Sequence, residues 1–141
     1  MSALIMFIHV LFGVSFFGML VASFVTISSS IRQKNPAFMH QTIKASLIHD
    51  YILFPVIVGV IITGAFMTKI RDIAPGTAWI TDTYVLFFIA SVIWFCLVLI
   101  KLKNLSEKKF VYKKLFYVLN VTVMLLFFLI IHDVTTKQTW F

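Results

Sequence analysis

The chain has 141 residues, 61% of them hydrophobic and 12% charged, with a formal net charge of +7 at pH 7. Its mean hydropathy of +1.03 excludes an ordinary soluble domain, in which the apolar share is near half. The positive charge gives little support to nucleic-acid binding, because the basic residues hug the ends of apolar runs, where they can meet anionic lipid head groups.

Four runs contain no Asp, Glu, Lys or Arg: Ser2 to Ile31, Tyr51 to Thr68, Thr83 to Ile100 and Leu115 to His132. A helix needs about 20 apolar residues to cross a hydrocarbon layer about 30 Å thick. The runs therefore predict four transmembrane helices, at 3–29, 48–68, 83–101 and 114–133. They leave no room for a second domain, so 1–141 reads as one all-α, four-helix, up-and-down bundle. The runs are continuously apolar and do not alternate, which favours helices over barrel strands. The first span lacks a basic leader and is longer than a signal-peptide core, so it is expected to be retained.

Asn35-Pro36 breaks the chain after the first span, and residues 37–47 read as a short interfacial segment. Pro55 is expected to kink the second span, while Gly59 and Gly64 permit close helix approach. Pro75-Gly76 turns the next connection. Asn104 to Lys109 forms the last one, with Ser106 as the expected N-cap of the fourth helix. Cys96 stands alone and reads as a packing thiol. Asn120 is expected to bond across helices. Trp94 lies too deep for an interfacial anchor, so packing or a ligand is its expected role.

Orientation follows from the basic residues. The first connection has Arg32, Lys34 and Lys44, and the third has Lys101, Lys103, Lys108, Lys109, Lys113 and Lys114, nine of the twelve in all. The positive-inside rule places both connections in the cytoplasm and both termini on the outer, periplasmic side of a bacterial inner membrane. Trp79, Tyr84 and Trp140 then fall near the outer edge. Tyr51, Tyr112 and Tyr117 fall near the inner one.

His9 and His132 belong to the first and last spans, and both lie at the outer edge. First and fourth helices are neighbours in an up-and-down bundle, and two facing imidazoles can hold one iron axially. The pair therefore predicts a bis-His haem b site. Gly13, on the His9 face, leaves room for a macrocycle edge. Phe12, Phe16, Phe127 and Phe128 are candidate walls. Lys69, Arg71 and Lys137 are candidate partners for the propionates, and Asp133 is placed to orient an imidazole. His49 lies at the opposite edge and would need a separate site. With Asp50 it reads as a polar helix start bonding to backbone and head groups. His40 reads as interfacial. No mid-membrane carboxylate, Lys or Arg supports a proton-coupled transporter, and no hydrolase or phosphate-loop motif is present.

The pattern His9-Val10-Leu11-Phe12-Gly13 with Gly18, Asn35-Pro36, Asp50, Phe54-Pro55, Thr63-Gly64 and Ala78-Trp79-Ile80 resembles an uncharacterised family of bacterial four-helix membrane proteins, over about residues 5–100. That family is similar in layout to CopD-like proteins and HemJ-type protoporphyrinogen oxidases. The resemblance implies b-type haem with His9 as the matching ligand. Three functions are consistent with the chain. One is a b-type haem protein passing electrons from a quinol or small reductant. The others are a HemJ-like porphyrinogen oxidase and a non-enzymatic carrier or assembly subunit. The small-residue faces are compatible with a homodimer.

Overall fold

The computed structural model describes residues 2–74 and 76–137. It contains four α-helices: α1 (Ser2–Gln33), α2 (Pro36–Ile70), α3 (Ala78–Asn104) and α4 (Lys113–Thr136). Each is long and apolar enough to cross a membrane.

Local chemistry sets the helix ends. Asn35 caps α2 by accepting hydrogen bonds from the backbone N–H groups of Ala37 (3.0 Å) and Phe38 (3.2 Å). Pro36 follows at the first helical position, where its missing N–H costs nothing. The interfacial segment expected at 37–47 is instead continuous with α2. The reason is a single buried stripe, Met39, Ile43, Ser46, Asp50, Leu53 and Ile57, which runs unbroken from this segment into the span. Pro55 lies inside α2, and the helix runs through it.

The last connection also differs from expectation. Ser106 does not cap α4: its hydroxyl donates back to Lys103 O at 3.3 Å. The helix begins at Lys113, after Tyr112 in a left-handed conformation with φ 60°. Asn104 organises this turn. Its Nδ2 donates to Ile100 O (2.7 Å) and Val111 O (3.1 Å), and its Oδ1 accepts from Val111 N. Pro75, of the expected Pro75-Gly76 turn, lies outside the described residues, as does Trp140.

The helices form an up-and-down bundle. α1 packs mainly on α2 and α3 mainly on α4, with slighter α2–α3 and α1–α4 faces closing the square. The Ser23–Ser46 hydrogen bond (2.6 Å) and the His9–Thr63 hydrogen bond (2.8 Å) set the antiparallel register of α1 and α2. Phe16 is fully buried and meets Phe87 at 5.9 Å and Phe127 at 5.1 Å between ring centroids, joining α1, α3 and α4. Trp94, Leu97 and Val123 extend this core. The outer surface is apolar as well: Phe54 is 63% exposed and Phe88 69%. Such side chains face outward at no cost only where the solvent is lipid.

An even number of spans places the start of α1, the α2–α3 connection and the end of α4 together; this is called the terminal end here. The α1–α2 and α3–α4 turns make the opposite, connection end.

Candidate functional site

At the terminal end, His9 lies on the inward stripe of α1, two turns from Phe16. Its Nδ1 is 2.8 Å from Thr63 Oγ1 on α2. Thr63 Oγ1 is also 2.6 Å from Gly59 O. A hydroxyl and a carbonyl oxygen approach that closely only with the hydroxyl proton between them, so Thr63 donates to Gly59 O. Its oxygen must then accept from His9 Nδ1–H. In the neutral ring this puts the proton on Nδ1 and the lone pair on Nε2, and the ring is also hydrogen-bonded to the Val60 backbone. A metal-binding histidine is commonly fixed in this way, one nitrogen donating to a second group and the other left as ligand.

Two glycines of α2 admit this arrangement. A Cβ at Gly64 would lie 3.3 Å from His9 Cε1 and 3.7 Å from the Tyr84 hydroxyl of α3. His9, Gly64 and Tyr84 therefore meet at one point. A Cβ at Gly59 would come within 2.6 Å of the Phe12 ring, so Phe12 fills the notch that Gly59 leaves.

His132 and Asp133 end α4. Their side chains approach to 3.4 Å (Nδ1 to Oδ1), long for a hydrogen bond, with His132 36% exposed and Asp133 fully buried. The second oxygen of Asp133 has no hydrogen-bond partner among the described residues, and neither does Asp82 Oδ2 at the same end of α3. A buried carboxylate that is only half satisfied is costly, and a nearby cation would compensate it.

The aromatic contacts at Phe16, Phe17, Phe127 and Phe128 set α1 against α4. Counting along the helices from there places His132 level with Phe12, roughly 4.5 Å along the axis from His9. The two histidines thus share one end of adjacent helices, and the hydrogen bonds of the described residues do not link them directly. Space beside Gly13 is open, with no atom within 4 Å of where a Cβ would stand. Of the expected walls, Phe16 and Phe127 pack on one another and Phe12 fills Gly59, while Phe128 is 61% exposed. Lys69, Arg71 and Lys137 are exposed at this end, and Arg71 Nη2 contacts Met6 Sδ at 3.1 Å. Among the described residues no three His, Cys, Asp or Glu side chains converge to hold a metal ion.

A second polar cluster, near the connection end, went unread in the sequence. Lys101 Nζ of α3 donates to both oxygens of Asp50 on α2, at 2.7 and 3.0 Å, and Trp94 Nε1 donates to Asp50 Oδ1 at 3.1 Å. Asp50 is 4% exposed and Lys101 2%. The expected helix-start role for Asp50 is thus replaced by a buried interhelical ion pair. A signal did exist. Asp50 continues the buried stripe of α2, and Trp94 and Lys101, seven residues apart, continue that of α3. His49, next to Asp50, is exposed. His40 lies near Leu105 O at 2.9 Å, within hydrogen-bonding reach of the α3–α4 connection. Asn120, expected to bond across helices, donates instead to Phe116 O of its own helix at 2.8 Å. Cys96 is half-buried.

Four long apolar helices with polar groups gathered between them define a multi-pass integral membrane protein of the four-helix type. The chain belongs to the family described as Predicted integral membrane protein (DUF2269), whose model matches residues 3–138. No similar curated protein and no similar solved structure was found.

Proposed function

We propose that the protein binds b-type haem at its terminal end and serves in membrane electron transfer. His9, through Nε2, and His132 would hold its iron. The observation that carries this reading is the Thr63 hydroxyl, which fixes His9 in the ligand tautomer. Two features support the fit: open space beside Gly13, and the oxygen of buried Asp133 that has no partner among the described residues, which favours a cationic centre beside it. The haem would supply a one-electron couple. The chain's part is to hold the imidazoles, to keep water from the inward face of α1, and to neutralise propionates with Lys69, Arg71 and Lys137. With both termini on the periplasmic side of a bacterial inner membrane, the site would receive electrons from a quinol or small reductant. A homodimer of such bundles is compatible with this role.

The test is a reduced-minus-oxidised spectrum of protein purified after haem-replete expression. Soret and alpha bands are expected, with six-coordinate character lost in His9→Ala and in His132→Ala and kept in His49→Ala. Absence of the bands, or loss only in His49→Ala, overturns the assignment. Porphyrinogen oxidation by the haem-loaded protein would instead assign the HemJ-like activity. A carrier or assembly role would leave both assays silent.

A further inference from the structure

A groove of about 460 Å³ runs between α1 and α2 at the connection end. It is independent of the terminal-end histidines. Val25, Phe38 and Ala45 supply apolar wall. Three hydroxyls on its lining are already engaged: Thr26 with Ala22 O, Thr42 with Phe38 O, and Ser46 with Ser23. Ser29 and His49 also line it; both are exposed, and among the described residues neither side chain has a hydrogen-bond partner. The groove therefore presents unused polar groups beside apolar surface, the mixture a small amphiphile requires.

Charge selects the amphiphile. From Ala3 to His49 the sequence has no Asp or Glu, while Arg32, Lys34 and Lys44 lie around the turn. The first carboxylate, Asp50, is buried and consumed by Lys101. Arg32 is three residues beyond Ser29, on the same face of α1. The positive potential at the groove is thus uncompensated by the helices that form it.

Depth agrees. The Asp50–Lys101 bond aligns α2 with α3, and α3 ends three residues later at Asn104. From Asp50 to the Asn35 turn, α2 runs on for roughly 22 Å. The α1–α2 hairpin is accompanied there by the α3–α4 connection, whose Leu105 O lies 2.9 Å from His40, and the groove lies at this basic end of the bundle, where the charged residues mark the head-group layer.

We propose that this groove seats the phosphodiester head group of an anionic phospholipid. Ser29 and His49 donate hydrogen bonds to phosphate or ester oxygens, and Arg32 pairs with the charge. Val25, Phe38 and Ala45 cover the first carbons of the chains. A zwitterionic lipid brings its own cation and gains less.

Native mass spectrometry and thermal unfolding of the full chain in nanodiscs test this, with phosphatidylglycerol titrated into phosphatidylcholine. The wild-type protein is expected to retain one phosphatidylglycerol and to unfold at higher temperature as it is added. Ser29→Ala with His49→Ala should weaken retention by roughly tenfold or more, the loss of charge-assisted hydrogen bonds. Ala45→Trp, which fills the groove and leaves every charge in place, should do the same. Lys108→Gln with Lys109→Gln removes charge from the other turn and should retain the lipid. Equal retention of the two lipids overturns the proposal, as does equal loss in the lysine control. Lipid-independent behaviour with a changed oligomeric state in Ala45→Trp overturns it too, and makes the groove an interface between copies.

Discussion

Thr63 illustrates how one hydroxyl decides the chemistry of another residue. Its single proton is committed to Gly59 O, so its oxygen can only accept, and His9 must donate from Nδ1. Thr63→Val preserves shape and removes that acceptor. On the haem reading, this substitution should lower haem affinity by about 10–100-fold, the usual effect of losing a partner behind a metal-bound histidine. Haem titration of the apoprotein measures it, and unchanged affinity would detach Thr63 from the site. The sequence made His9 conspicuous, because a histidine amid apolar residues is visible at once. It did not reveal Thr63. A threonine in an apolar helix ordinarily bonds to its own backbone, and only the α1–α2 register shows that this one also meets a histidine.

At the level of elements, the buried Asp50–Lys101 pair joins the two hairpins where their direct packing is slight. Removing one partner leaves the other charge buried and unpaired, so Asp50→Asn or Lys101→Met should each destabilise the protein by about 3–5 kcal/mol. The double variant should recover much of that loss, because no lone charge remains. Denaturant or thermal unfolding in detergent gives the comparison. Additive single effects would mean that the two residues act separately. Helix number and order were legible from the uncharged runs, whereas the reach of α2 and this pair were not. Its members are 51 residues apart and sit where charge is expected to mark a membrane edge. Burial turned both inward instead. The N-terminal third of α2 was misread for a related reason: its polar residues suggested an interface, while its apolar stripe continued without a break.

For the whole molecule, span number and the up-and-down order followed from composition, since only a helix satisfies its backbone in lipid. Sidedness rests on the positive-inside rule. Alkaline phosphatase fused after Lys137 should be active, and the same enzyme inserted at Lys108 should be inactive. The reverse pattern would invert the bundle and put the His9 end in the cytoplasm. The arrangement of the four helices was also legible, but how unequally they pack was not. Periodicity weighs each helix alone. Which pairs hold each other tightly depends on notches such as Gly59, into which Phe12 fits.

The Asp50–Lys101 bond has a consequence in time as well as in space. The carboxylate leaves the ribosome 51 residues before its lysine. At synthesis rates of about 5–20 residues per second, that is a delay of roughly 3–10 s. During that interval the first hairpin has a charged side chain on its inward face and nothing to answer it. Lys101 arrives near the end of α3, so the partner comes only when the third span is almost complete. The first hairpin can pack before then, but its buried charge is answered only once the second is well under way.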